Sequence, residues 1–168
     1  MDDRSADSRP ADLWTDRAFL GLNATQFLGA FNDNLYKQLV LLLCVDYEKV
    51  THVKYQGLAT ILFALPFIVF SGFAGFLSDR FSKPYIITLC KVAEIAIVLL
   101  GLISFLSHTI AVPLFVLFLM GTHSAFFGPP KYGVLPELLR ETNLPRANGA
   151  ILMTTFLAII FGFVTAGF

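Results

Sequence analysis

The chain has 168 residues, of which 56% are hydrophobic and 14% are charged, and its mean hydropathy is +0.71. This composition is far more apolar than that of a soluble domain and indicates a membrane protein. The 12 basic and 12 acidic residues cancel, so the chain lacks the positive field that holds nucleic acid, and no DNA- or RNA-binding motif occurs in it. We therefore expect no nucleic-acid partner.

Five stretches of the sequence are long and apolar enough to cross a bilayer, since about 20 helical residues span a hydrocarbon core of about 30 Å. They are predicted near residues 18–44, 56–78, 84–106, 110–138 and 147–168. Only short connectors join them, so we predict an all-α integral membrane protein with no soluble domain between its helices. Because the chain stops within the apolar stretch "FGFVTAGF", we expect it to be a fragment of a longer protein.

The polar residues 1–17 precede the first span, and basic residues in the loops indicate its orientation. One side of the predicted bundle collects Arg4, Arg9, Arg17, Arg80, Lys83, Arg140 and Arg146. The other side has only Lys49 and Lys54. Since the more basic loops stay in the cytoplasm, residues 1–17 are predicted to be a cytoplasmic segment. They are not followed by the short apolar core of a cleaved signal peptide.

Polar residues interrupt the middle of the first span, which reads Asn32, Asp33 and Asn34, followed by Lys37. The residues that recur there at intervals of three and four, and so share one helical face, are Asn23, Gln26, Ala30, Asp33 and Lys37. A charge within hydrocarbon costs about 2.5 to 3.5 kcal/mol, so this face is predicted to line a cavity that binds polar groups of a substrate. The alternative is that Asp33 and Lys37, four residues apart, neutralise each other and only stabilise the bundle.

Lysines also lie in the third and fourth spans. Lys91 and Glu94 are three residues apart, and we favour a structural ion pair in which Lys91 extends toward the cytoplasmic interface. Lys131 follows the sequence Gly-Pro-Pro at 128–130, which frees backbone carbonyls that protein or water must satisfy. A broken helix with a lysine predicts an anion site. The alternative is a helix that ends at Gly128, with Lys131 as an interfacial anchor.

No catalytic or metal site is predicted. His123 stands alone, without other residues at metal-ligand spacing. The chain contains no nucleophile elbow, no phosphate-binding glycine loop and no paired carboxylates in a water-accessible setting. We therefore do not expect an enzyme, and we expect no cofactor.

The loop between the second and third spans reads "GFLSDRFSK" at residues 75–83. It resembles the cytoplasmic motif that joins helices 2 and 3 in the major facilitator superfamily, with Ser82 in place of the usual glycine. Asp79 follows a helix C-terminus, where the helix dipole disfavours an acid, so a tertiary partner is expected for it. The alternative is an ordinary charged turn. The resemblance assigns a gating and structural role to Gly75, Asp79, Arg80 and Lys83.

Four blocks, in order, resemble the lysophospholipid transporter branch of that superfamily: "FLGAFNDNLYKQ", "LSDRFSKPYII", "SAFFGPPKYGVLPELL" and "LPRANGAILMTTFLAII". The resemblance implies the first five helices of a twelve-helix major facilitator fold, with the C-terminal half missing, in the bacterial cytoplasmic (inner) membrane. It also implies movement of lysophospholipids between leaflets by alternating access. Since family members occur fused to acyltransferases, the alternatives are a domain that anchors or positions a fused or associated phospholipid acyltransferase, and a non-transporting membrane scaffold.

A lysophospholipid head group carries a phosphate and often an ammonium group, so its site needs a cation and an acid. Asp33 and Lys131 are the predicted pair, facing each other across a central cavity. The full predicted substrate-binding set is Asn32, Asp33, Asn34, Lys37, Lys131 and Tyr132.

Overall fold

The computed structural model describes residues 13–168, and all the regular secondary structure in this range is helical. Two short 3-10 turns, Leu13–Thr15 and Glu141–Asn143, precede the first and last helices. The predicted cytoplasmic segment 1–17 lies mostly outside the described residues. The helices are α1 (Arg17–Thr51), α2 (Gln56–Arg80), α3 (Lys83–Ser104), α4 (Ala111–Gly133), α5 (Leu135–Leu138) and α6 (Leu144–Ala166).

Each of the five predicted spans contains one long helix. Among the described residues, four segments have the length and composition of a membrane span: α2, α3, α4 with α5, and the turn at 141–143 with α6. The exception is α1, which carries the polar stripe of Asp33 and Lys37. Because α1 packs against α4 and along α6, these polar side chains lie against protein as well as facing a cavity. The chain is thus an all-α membrane protein.

Capping residues explain where these helices begin and end. Asp16 precedes α1, and its Oδ1 accepts hydrogen bonds from the backbone N–H groups of Ala18 and Phe19 at 2.8 and 3.2 Å. At the other end, His52 takes a left-handed conformation with φ of 58° and stops α1. Proline at position N1 or N2 begins α3, which suits a residue without an N–H group.

The fourth span is helical through its Gly-Pro-Pro sequence, so the alternative in which the helix ends at Gly128 is wrong. α4 continues to Gly133, and the N–H of Val134 still donates to the carbonyl of Pro130 at 3.0 Å. The two prolines remove the helical donors for the carbonyls four residues before them. The helix therefore carries Lys131 on its last turn, in the wall of the bundle.

The main helix pairs are α1 with α6, α2 with α4, and α3 with α4. They bury two separate apolar clusters. One contains Phe19 and Leu22 of α1 with Phe127 of α4, and the other contains Val40 of α1 with Leu117 of α4. In the sequence, Gln26 and Asp33 of α1 and Ser124 of α4 lie between the residues of these two clusters, so the fold leaves a polar layer in the middle of the bundle.

Candidate substrate-binding site

A cavity of about 420 Å³ occupies this polar layer. Helices α1, α2, α4 and α6 supply most of its walls, and α3 contributes one side chain, that of Lys91. Four of the six predicted substrate-binding residues line it: Asp33, Asn34, Lys37 and Lys131. The structure therefore brings the acidic and basic residues of the prediction into one cavity, together with the apolar side chains of Phe63, Phe67 and Ile159.

Asp33 and Lys37 have separate partners on different helices. Asp33 is 7% exposed and accepts a hydrogen bond from the Ser124 hydroxyl of α4. The Lys37 Nζ lies 5.1 Å from the ring centroid of Phe63 on α2, a cation–π distance. The two residues, both described by the structure, form no ion pair within 4.0 Å of each other. The geometry thus disagrees with the alternative in which they neutralise each other.

Lys131 is a buried cation held by neutral groups. It is 8% exposed, and its Nζ donates to Gln26 Oε1 at 3.1 Å. Gln26 in turn donates to the Thr155 hydroxyl at 2.9 Å, so one hydrogen-bonded chain joins α4, α1 and α6. Within residues 13–168, no carboxylate lies within 4.0 Å of this ammonium group. A buried charge without a counter-charge is costly, which favours an anionic ligand for Lys131.

The remaining two predicted residues lie outside the cavity wall. Tyr132 is 41% exposed and contributes through its ring, whose centroid is 4.6 Å from the Lys131 Nζ. Asn32 lies in a second, mainly apolar groove of about 390 Å³ between α1 and α3. Its Nδ2 is buried and has no hydrogen-bond partner among the described residues. Helical geometry explains why Asn32 lies outside the cavity: successive residues are rotated by about 100°, so Asn32 and Asn34 lie on opposite sides of Asp33, Asn34 in the cavity wall and Asn32 toward α3.

A second charged cluster joins α3 to α4. Lys91 Nζ lies 2.6 Å from Glu94 Oε2 and 3.3 Å from the carbonyl oxygen of Thr25. It also lies 4.1 Å from the ring centroid of Phe127, and Glu94 Oε2 is 3.7 Å from His123 Nε2. The expected ion pair is present, but Lys91 turns into the bundle rather than toward the interface, because α1 and α4 offer it a carbonyl and an aromatic ring.

Sequence reasoning left other cavity residues out of the predicted set, namely Gln26, Lys91, His123, Ser124 and Thr155. The sequence did indicate that Gln26 faces the cavity, because it belongs to the polar stripe of α1. No sequence pattern marked Ser124 and Thr155 as cavity residues, because hydroxyl side chains within a span commonly bond to their own helix.

The loop motif lies apart from the cavity. Asp79 and Arg80 are exposed at the end of α2, whereas Lys83 Nζ pairs with Glu137 Oε1 at 2.6 Å. Gly75 has open space where a side chain would be. The tertiary partner expected for Asp79 is not among the ion pairs of residues 13–168. The gating role of this motif stays a prediction.

Comparisons with known proteins match this chain to one family and to curated relatives of that family. The family model for the Major Facilitator Superfamily matches residues 22–168. The chain is 32% identical over 160 residues to the lysophospholipid transporter LplT of Salmonella schwarzengrund, an alignment that covers 92% of this chain and 36% of the relative. Its identity to LplT of Salmonella typhimurium is 31%, with the same coverage. The chain thus spans about a third of the length of these curated relatives. No solved structure gives a significant match.

Proposed function

This chain belongs to the major facilitator superfamily, and from that premise we propose that it forms part of the N-terminal half of a transporter that moves lysophospholipids between the leaflets of the bacterial cytoplasmic membrane. The observation that carries the substrate class is Lys131, a buried cation in a cavity wall that has no carboxylate of residues 13–168 within 4.0 Å. The names of the relatives support the same substrate class.

The cavity offers complementary chemistry to each part of a lysophospholipid. Lys131 would bind the phosphate by charge-assisted hydrogen bonds. Asp33, held by Ser124, would bind an ammonium group of the head group. The aromatic rings of Phe63 and Phe67 would contact the apolar part of the lipid.

Alternating access requires two bundles that rock around a site between them. The helices of this chain supply one bundle, with the polar faces of α1 and α4 toward the cavity. We propose that the further helices of a full-length protein form the opposing bundle, and that the N-terminus is cytoplasmic. A bundle of these five helices by itself is expected not to transport.

Replacing Asp33 by Asn tests the head-group assignment. The amide keeps a hydrogen-bond acceptor for Ser124 but loses the negative charge, so the fold should be retained. We expect uptake of lysophosphatidylethanolamine, which has an ammonium group, to fall about tenfold, as one charge-assisted hydrogen bond contributes about 1.5 kcal/mol or more. Uptake of lysophosphatidylglycerol, which lacks that group, should change little. The assay measures labelled lipid taken up by proteoliposomes that contain the full-length protein.

Asp46→Asn is the matched control, because Asp46 is a carboxylate of the same helix whose side chain is 70% exposed and pairs with Lys49 on the protein surface. It should leave the uptake of both lipids unchanged. If Asp33→Asn takes up each of the two lipids as well as the wild type does, Asp33 does not bind the head group. If the wild-type protein itself moves no lysolipid, then the alternatives of a scaffold or an acyltransferase-positioning domain are favoured.

A further inference from the structure

We propose that Lys91 of α3 is a second ligand of the substrate phosphate, so that Lys91 and Lys131 together form a two-lysine anion site at Phe127. This inference rests on the proposed function. It adds Lys91 to the substrate site, whereas the sequence pattern favoured a structural ion pair for that residue. Phe127 is the common point of the arrangement. Its ring centroid lies 4.1 Å from the Lys91 Nζ and 5.8 Å from the Lys131 Nζ. Both ammonium groups are therefore within cation–π distance of one ring.

The hydrogen-bond donors of the two lysines are only partly used. An ammonium group has three donors. Lys91 directs two of them to Glu94 Oε2 and to the carbonyl oxygen of Thr25, and Lys131 directs one to Gln26 Oε1. By the contacts of the described residues, this leaves one donor of Lys91 and two of Lys131 for a ligand. A phosphate has enough acceptor oxygens to take all three, and both lysines line the same cavity.

Glu94 positions Lys91 and still leaves one of its hydrogen-bond donors for a ligand. The carboxylate lies on the same helix at 2.6 Å and balances the charge of Lys91 while the cavity holds no anion. Its Oε2 also lies 3.7 Å from His123 Nε2, a buried nitrogen without a hydrogen-bond partner among the described residues. Glu94 thus lies between Lys91 and α4, and its hydrogen bond with Lys91 holds the lysine near Phe127.

Gly29 of α1 makes room for this pair. A Cβ atom at this position would lie 2.8 Å from Glu94 Oε1 and 3.0 Å from Lys91 Nζ. Any side chain there would push the pair away from α1. Gly29 and Lys91 line both the central cavity and the groove between α1 and α3. Because Gly29 has no side chain, Lys91 of α3 can reach the cavity past α1.

The double variant Lys91→Gln with Glu94→Gln separates binding from structure. It removes both charges of the ion pair together, so neither partner is left as an unpaired charge, and the variant should keep the thermal stability of the wild type. We expect the Kd of purified full-length protein for lysophosphatidylethanolamine to rise about tenfold or more, which is the effect of one charge-assisted hydrogen bond. Binding of a monoacylglycerol with the same chain, which lacks the phosphate, should not change.

The comparison with Lys131→Gln distinguishes two ways of failing. If Lys131→Gln weakens lysolipid binding and the double variant binds like wild type, Lys91 has a structural role only and the inference is overturned. If the wild-type protein does not prefer lysolipid to monoacylglycerol, the proposed function fails and the inference fails with it.

A second variant covers the case in which the double variant does not fold. Gly29→Ala changes no charge but displaces the pair, so it should also raise the Kd for lysophosphatidylethanolamine selectively. Gly21→Ala is its control on the same helix, because nothing lies within 4 Å of a Cβ there. Equal lysolipid binding by Gly29→Ala and Gly21→Ala would contradict the proposed placement of Lys91.

Discussion

Replacing Lys131 by Met is expected to lower the uptake of lysophospholipids about 100-fold, which corresponds to about 3 kcal/mol for a lost charge-assisted contact with the phosphate. Met retains most of the length and apolar character of the lysine stem, so the packing against Phe127 and Tyr132 should persist. The variant also removes a buried charge that pairs with no carboxylate in the part of the chain that the structure describes. We therefore expect normal expression and thermal stability together with the loss of uptake, measured in the same proteoliposome assay.

Two further substitutions make this result specific. Lys49→Met removes a lysine of α1 whose side chain is 70% exposed, and it should leave uptake unchanged. Lys131→Arg keeps the charge but replaces a compact ammonium with a planar fork, so it should retain part of the activity. Uptake by Lys131→Met within twofold of the wild type, at equal protein level, would show that this cation does not bind the substrate.

Replacing Gly121 by Ala is expected to destabilise the bundle, although it adds only one methyl group. A Cβ at this position would overlap the backbone carbonyl of Phe63, and atoms of a helix backbone cannot move aside as the end of a side chain can. The backbones of α2 and α4 therefore approach closely at Gly121. Forcing extra volume into such a contact costs about 1 to 3 kcal/mol. The measurement is the thermal unfolding temperature of detergent-solubilised protein, which should fall.

Gly72→Ala is the matched control for this effect. It lies within α2, and nothing comes within 4 Å of a Cβ built there. Because Ala favours a helix over Gly by about 1 kcal/mol, this variant should be as stable as the wild type or more so. If Gly121→Ala and Gly72→Ala unfold at the same temperature, the close approach of α2 and α4 at Gly121 is not a feature of the protein in solution.

The polar stripe of α1 could be predicted from the sequence because it depends on local geometry. A period of three and four residues fixes the face of a helix and predicts that Asn23, Gln26, Ala30, Asp33 and Lys37 lie together. All but Asn23 line the cavity, and Asn23 instead accepts a hydrogen bond from the Thr154 hydroxyl of α6. The same geometry explains why Asn32 does not join them. The apolar lengths likewise predicted five long helices, although α1 extends beyond its apolar part to Thr51.

The contacts that polar side chains make with other helices could not be predicted from helical periodicity. Asp33 bonds to Ser124 of α4, and this depends on how two distant segments pack. The inward turn of Lys91 depends on the missing side chain of Gly29 in another helix. A sequence shows the depth of a lysine within its own span, but the direction of its side chain is decided by tertiary contacts.

If the cavity between α1, α2, α4 and α6 holds the lysolipid head group, bound lipid should protect a thiol placed in the cavity wall. The natural cysteines Cys44 and Cys90 are buried and would be replaced by Ala. Ile159 lines the cavity, whereas Ile160 is 56% exposed and is absent from the cavity wall. Ile159→Cys should react with N-ethylmaleimide in the full-length protein, and lysophosphatidylethanolamine, but not monoacylglycerol, should slow this reaction. Ile160→Cys should show no such protection. An alkylation rate of Ile159→Cys that saturating lysolipid leaves unchanged, in protein that transports it, would contradict the account.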